Sequence, residues 1–129
     1  YFWPVKSLTE AGALVFYGSD WPAVVPDTNP WPGIEAMVSR EDPYGKNPGK
    51  YWPEQAVDLK TALRIFTING AVAGKQEKTT GSLEAGKRAD FIILASNIFE
   101  IPTAALSDVQ VLQTFVDGEA VFQRVSAGE

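Results

Sequence analysis

The pattern of hydrophobic residues changes near residues 76–80, and this change restricts the possible folds more than any other feature. Before it, apolar residues recur at the three- and four-residue spacing of amphipathic helices. After it, glycines separate short runs rich in β-branched and aromatic residues. We therefore predict an α/β chain, with helices and one buried strand in residues 1–76 and strands in residues 77–129.

Three segments of the first part are predicted to be helical. Residues 5–11 follow a proline that suits a helix start and precede a glycine that suits a helix end. Further helices are predicted over residues 32–40 and 58–68. The carboxylate of Asp58 can accept the free amides at the start of the third helix. The Asn-Gly pair at residues 69–70 is a natural stop or break for it.

Residues 13–17 form an unbroken apolar run, Ala-Leu-Val-Phe-Tyr. A short run with both faces apolar predicts a strand that is buried on both sides, as in parallel sheets. Three more strands are predicted over residues 91–94, 109–116 and 119–125. The Asp-Gly pair at residues 117–118 separates the last two and predicts a hairpin.

Residues 41–57 contain three prolines and two glycines, which argue against a regular element. An ordered loop of this length often forms the lid or wall of a site, and a flexible connector is the alternative. All four tryptophans precede a proline, which predicts extended, rigid corners. For Trp3 we favour packing onto the core, whereas Trp21 can equally pin a loop or form a pocket wall.

The composition excludes several kinds of function. The sequence has no cysteine and no histidine, so this chain alone has no disulfide, no thiol nucleophile, no serine–histidine–acid triad and no zinc finger. Eleven basic against 16 acidic residues give a net charge of −5, which disfavours nucleic acid as a partner. With no membrane-length apolar run and no leader before Tyr1, we expect no membrane partner and a cytoplasmic location.

Asp20 is the candidate functional residue. It follows the predicted strand 13–17 directly, at the edge where α/β sheets and barrels keep their active sites. From its position alone, Asp20 could be a metal ligand, a general base or a cap for the following turn.

Three runs in this order resemble the C-terminal end of metal-dependent amidohydrolases, within the amidohydrolase family 3 group that includes N-substituted formamide deformylases. They are Gly-Ser-Asp-Trp-Pro at 18–22, Thr-Ile-Asn-Gly-Ala at 67–71 and Gly-Ser-Leu-Glu-Ala-Gly-Lys-Arg-Ala-Asp-Phe at 81–91. The resemblance implies a (β/α)8 barrel beside a small β-sandwich. Residues 1–76 would supply the last barrel strand and helices, and residues 77–129 the C-terminal part of the sandwich.

The resemblance also implies an activity, the hydrolysis of non-peptide carbon–nitrogen bonds of the amide or formamide type at a divalent metal, expected to be zinc. Asp20 matches the aspartate that binds the metal and takes the proton of the attacking water. Trp21 and Pro22 would contact the small-molecule substrate. The other metal ligands of the family are histidines, often with a modified lysine or an acid, and this chain has no histidine. We therefore expect the isolated chain to hold no cofactor and to be inactive.

Two further expectations follow from this mapping. Asp90 is expected to be structural, bonding backbone amides in the turn before its strand.

A strand 13–17 without its neighbours would expose an apolar edge, which predicts pairing with a second copy or with the N-terminal part of the parent. The alternative to an enzyme is a non-enzymatic interaction module derived from the same fold.

Overall fold

The computed structural model of the chain describes residues 3–23 and 25–125. Its α-helices are α1 (Val5–Glu10), α2 (Trp31–Ser39), α3 (Leu59–Phe66) and α4 (Ile68–Ala73), with 3-10 turns at Pro53–Gln55 and Thr103–Asp108. Its strands are β1 (Phe91–Leu94), β2 (Val111–Val116) and β3 (Glu119–Gln123). Helices in the first part and strands in the second confirm a mixed α and β structure, but the sheet is antiparallel and the described residues form no parallel-type strand. No helix of the described residues has the length and apolar character needed to cross a bilayer.

The strands form one antiparallel sheet in the order β1-β2-β3. The rings of Phe91 and Phe115 are paired across β1 and β2 and stack with their centroids 4.5 Å apart. Asp117 and Gly118 connect β2 to β3 with φ values of 56° and 83°. Two successive positive φ values match the twist of a tight hairpin, so the predicted hairpin is confirmed.

The core lies among the helices and the second 3-10 turn. Helix α2 packs against α3 and against Thr103–Asp108. The buried apolar side chains are Val5, Trp31, Ile34, Val57, Ala62, Ile65, Ile98 and Leu106. Leu94 of β1 packs against this cluster only from its edge, and every residue of β3 is exposed.

The three predicted helices are confirmed, but the predicted stop after α3 is wrong. Asp58 caps α3, since its Oδ1 accepts a hydrogen bond from the Thr61 amide at 2.7 Å. The chain breaks at Thr67, with φ −126° and ψ −96°, and then continues as α4 through the Asn-Gly pair. Asn69 is tolerated inside a helix because its side-chain amide has found a partner elsewhere, the carbonyl of Val15.

Residues 13–17 form no regular strand, so that prediction is wrong for this chain. A strand needs a neighbour to receive its backbone hydrogen bonds, and the described residues place none beside it. Burial alternates instead: Val15 and Tyr17 are half-buried, whereas Leu14 and Phe16 are 48% and 56% exposed.

The extended geometry predicted for residues before proline is wrong at three of the four tryptophans. Trp31 is the first residue of α2 and is buried. Trp3 and Trp52 have φ values of 57° and 51°, in the left-handed region. The predicted packing role of Trp3 is not supported by burial, because this residue is 62% exposed. Local preference was overridden here by helix formation at Trp31 and by tight turns at the other two positions.

Candidate functional site

Residues 18–22 form a turn that we call the Asp20 turn. Asp20 is exposed and has a φ of 54°. The Ser19 hydroxyl accepts a hydrogen bond from the Trp21 amide at 3.3 Å, and the Asp20 carbonyl accepts one from the Ala23 amide at 2.8 Å. Among the described residues, the Asp20 carboxylate has no hydrogen-bond or ion-pair partner, so a capping role for this side chain is not observed. Its oxygens are open to water or to a ligand.

Segment 13–17, which leads into this turn, is held against α3 and α4 by polar contacts. The Asn69 side-chain Nδ2 donates to the Val15 carbonyl at 2.7 Å. The Tyr17 amide donates to the Ile65 carbonyl at 3.3 Å, which is a longer and weaker bond. These two bonds hold Val15 and Tyr17, the half-buried residues of a segment that has no strand beside it in the described residues.

An aromatic contact adds to this attachment. The Tyr17 ring stacks on the Phe66 ring of α3, with centroids 3.9 Å apart and planes 18° apart. Gly33 of α2 makes room for the pair, because a Cβ at this position would lie 2.9 Å from Phe66 Cζ and 3.0 Å from Tyr17 Oη. Burial, and then the nearby Tyr44, raise the pKa of Tyr17, so that its hydroxyl stays neutral.

Trp21 and Pro22 are exposed, and Trp21 keeps 54% of its surface accessible. Tyr17 contributes instead to a cleft of about 180 Å³ that also involves Asn29 and Tyr44. The structure therefore brings Tyr17 and Tyr44 together beside α2. It leaves Trp21 and Pro22 at the surface next to Asp20, outside that cleft.

The loop over residues 41–57 has a defined conformation. Asp42 accepts hydrogen bonds from the Tyr44 amide at 2.9 Å and from the Asn47 amide and side chain at 3.0 and 2.9 Å. These bonds hold the pKa of the Asp42 carboxyl below its usual value. Arg40 and Tyr51 exchange hydrogen bonds across the base of the loop. This bonding argues against a flexible connector.

A metal ion does not fit the residues of this chain by themselves. The sequence contains no histidine or cysteine. Over residues 3–23 and 25–125, no three acidic side chains come together in a way that could hold a metal. Catalytic zinc sites use three protein ligands, and here Asp20 is a single carboxylate.

A second cleft, of about 810 Å³, lies between the α3–α4 pair and β1. Its polar lining includes Arg64, Ser82, Glu84 and Asp90, and Asp20 is not part of it. Lys87 donates to Ser82 Oγ at 2.6 Å and to Glu84 Oε1 at 3.0 Å. The hydrogen bond from Ser82, followed by those from Lys87, lowers the pKa of Glu84. The three side chains together brace the turn over residues 82–87.

Asp90 has the structural role that the sequence predicts, but with a different partner. Its Oδ1 accepts a hydrogen bond from the Asp117 amide at 2.7 Å. That amide belongs to the β2–β3 hairpin, and not to the turn before β1. Asp90 therefore ties the end of the 81–90 segment to the hairpin.

Asn69 is the residue near the Asp20 segment whose contribution sequence reasoning missed. The sequence predicts a break at residues 69–70 and places the pair in one of the three family runs, but neither observation assigns a contact to the Asn69 side chain. The signal that could have revealed this contact is the low helix propensity of asparagine at a position inside a helical segment. An asparagine at a helical position commonly uses its side chain for a specific hydrogen bond.

Comparison with known proteins gives consistent matches over nearly the whole chain. The sequence model of the amidohydrolase family matches residues 1–122. The N-substituted formamide deformylase of Arthrobacter pascens is 36% identical over 96% of this chain, which covers 22% of that protein. The protein LONG AFTER FAR-RED 3 of Arabidopsis thaliana is 36% identical over 91% of this chain, which covers 19% of it.

The fold also has a counterpart among solved structures. The crystal structure of an amidohydrolase from Thermotoga maritima MSB8 superposes with a TM-score of 0.67 at 22% sequence identity. The match covers 93% of this chain and 26% of the amidohydrolase chain. The described fold thus corresponds to a part of that larger structure. Against the curated relatives above, the chain spans about a fifth of their length.

Proposed function

The chain belongs to the amidohydrolase family, and on that premise we propose that it is the C-terminal part of a metal-dependent hydrolase. The proposed reaction is hydrolysis of a carbon–nitrogen bond outside peptides, of the amide or formamide type. The observation that carries this proposal is the 36% identity to N-substituted formamide deformylase over 96% of the chain.

In the proposed architecture, residues 1–76 supply the last strand and helices of a (β/α)8 barrel, and residues 77–129 supply the C-terminal part of a β-sandwich. Segment 13–17 supports the barrel assignment, because it exposes Leu14 and Phe16 and has no strand beside it in the described residues. The exposed residues of β3 support the sandwich assignment, since a sandwich would cover one face of this strand.

We assign the proton-accepting role to Asp20. Its carboxylate is exposed and has no partner among the described residues, so it can accept a proton from a water molecule that attacks the substrate carbon. Trp21 and Pro22 are the proposed substrate contacts from the same turn. A metal ion, zinc by family expectation, would need further protein ligands from outside residues 1–129. The Asp20 carboxylate itself would accept the proton, and the metal ion would have a separate role.

The exposed apolar edges support a further proposal about partners. Leu14, Phe16 and Val121 each keep about half or more of their surface accessible. Covering the exposed part of these side chains removes apolar surface from water, which favours association. We propose that these edges pair with a second copy or with the N-terminal part of the parent. Sedimentation of the chain at micromolar concentration tests this, and a purely monomeric chain would contradict self-association.

The activity is tested on the full gene product with a panel of formamides and amides and added divalent metal. We expect Asp20→Asn to lower kcat by about 10²- to 10⁴-fold, the usual contribution of a positioned acid or base. Asp27→Asn is the matched control. Asp27 is an exposed carboxylate in the same part of the chain whose Oδ1 accepts from the Asn29 amide, a bond that an asparagine can keep.

Two outcomes would overturn the proposal. Near-normal turnover in Asp20→Asn would remove Asp20 from the chemistry. If the unmodified gene product hydrolyses nothing in the panel, the interaction module becomes the better reading. The exposed apolar side chains of the described residues support that second candidate.

A further inference from the structure

We propose that Asn69 is a positioning residue for Asp20, a role that rests on the proposed function of Asp20. Its side-chain amide fastens segment 13–17 to α4, and the Asp20 turn follows that segment directly. The location of the carboxylate would therefore be set by a hydrogen bond formed 49 positions further along the chain.

The contact between Asn69 and Val15 is specific. Asn69 is half-buried, and its Nδ2 donates to the Val15 carbonyl at 2.7 Å, across 54 positions of sequence. Most of a strand's backbone groups bond to neighbouring strands, but the described residues offer segment 13–17 no such partner. The side chain of Asn69 thus satisfies the Val15 carbonyl from α4.

The local structure of the chain directs Asn69 towards this carbonyl. The break at Thr67 ends α3 and α4 begins at Ile68, so that Asn69 is the second residue of α4. Asparagine is a poor helix former because its side chain competes for nearby backbone groups. Because the Asn69 side chain bonds to the Val15 carbonyl, it does not compete for the backbone groups of α4.

The attachment is close enough to the Asp20 turn to control it. Tyr17, the second inward residue of the segment, bonds to Ile65 and stacks on Phe66. Asp20 lies three positions after Tyr17, a reach of at most about 11 Å even when fully extended. A shift of the segment would therefore be passed to the carboxylate, and a misplacement of about 1 Å can lower a rate by roughly 100-fold.

The first experiment compares Asn69→Ala with Asn97→Ala in the full gene product. Asn97 is the matched control, since its Oδ1 also makes a single backbone contact, to the Phe99 amide, far from Asp20 in the chain. For Asn69→Ala we expect kcat to fall by about 10- to 100-fold with KM within about twofold, because positioning acts on the chemical step. Asn97→Ala is expected to retain both constants. Equal losses in the two variants would overturn the proposal.

A double-mutant cycle with Asp20→Asn tests whether Asn69 acts through Asp20. If it does, Asn69→Ala causes no further loss of kcat once the Asp20 carboxylate is gone. Independent, multiplicative losses would show that Asn69 affects the reaction by another route. Asn69→Asp, which keeps the shape and loses the donor, replaces Asn69→Ala in the cycle if the alanine variant fails to fold.

Amide hydrogen exchange at Tyr17 separates failure of this inference from failure of the proposed function. We expect exchange at Tyr17 to become faster in Asn69→Ala and to stay unchanged in Asn97→Ala, whatever reaction the protein catalyses. Unchanged exchange at Tyr17, with Asp20→Asn inactive, would overturn the positioning role alone. Full activity of Asp20→Asn would overturn the proposed function, and with it the role of Asn69 in catalysis.

Discussion

The helical part and the β-sheet of this chain differ in how they bury their side chains. In the helical part, Ala62 and Ile65 of α3 are 0% and 1% exposed, inside a core that α2 and the second 3-10 turn complete. In the sheet, Val121 and Phe122 of β3 are 60% and 45% exposed. The sheet is held by its ladders and by the Asp90 contact to the hairpin, whereas the helices are held by packing. We infer that the helical part carries most of the hydrophobic stabilisation within this chain.

The largest expected effect tests this contrast directly. Ile65→Ala should lower the free energy of unfolding by about 2 to 5 kcal/mol, since it leaves a cavity in a closed core. Val121→Ala is the matched change in β3 and should cost at most about 1 kcal/mol. Urea unfolding of both variants measures the difference. A cost for Val121→Ala equal to that for Ile65→Ala would mean that the sheet is buried in solution, as pairing with a partner would produce.

A smaller effect is expected where the helices meet the Asp20 segment. Gly33→Ala should destabilise the fold by about 1 to 3 kcal/mol, because the added Cβ meets Phe66 Cζ at 2.9 Å and Tyr17 Oη at 3.0 Å. Gly70→Ala in α4 is the control. It places its Cβ in open space and should stabilise the helix by up to about 1 kcal/mol. Thermal unfolding tests both variants: the midpoint temperature should fall for Gly33→Ala and rise for Gly70→Ala. A higher midpoint for Gly33→Ala would contradict the close packing of Gly33 against Phe66 and Tyr17.

The smallest effect concerns acid stability, with one carboxylate in each region. The pKa values of Asp42, in the loop after α2, and Glu84, before β1, are both lowered by hydrogen bonds. A lowered folded pKa gives a stabilisation that is present above the unfolded pKa, about 4, and is lost as the pH falls through the folded value. Asp42→Asn and Glu84→Gln should therefore each lose less stability than the unmodified chain between about pH 5 and pH 2.5.

Unfolding midpoints measured across that pH range would test the effect. Both carboxylates are exposed, so each variant should differ only slightly from the unmodified chain in the stability that it loses at low pH. An unchanged acid profile in Asp42→Asn would show that ionisation of Asp42 contributes nothing to folding stability.

The local elements of this fold were predictable because short-range chemistry decides them. Asp58 begins α3 by accepting the amide of a residue three positions away. Asp117 and Gly118 provide the two positive φ values that the hairpin needs. Both features depend on residues within three positions of one another in the chain. The family was predictable for a similar reason, since its motifs are continuous runs.

What the sequence by itself determined was therefore the positions of three helices and of the β2–β3 hairpin, the mixed α and β content and the family. Tertiary structure alone decided that residues 13–17 form no regular strand, because a strand exists only where a neighbour can pair with its backbone. It also decided that Asn69 belongs inside α4, where a carbonyl 54 positions away repays the cost of an asparagine in a helix. The surroundings of Asp20 depend on the conformation of segment 13–17 and on the bond between Asn69 and Val15. No local pattern of residues encodes a hydrogen-bond partner 54 positions away.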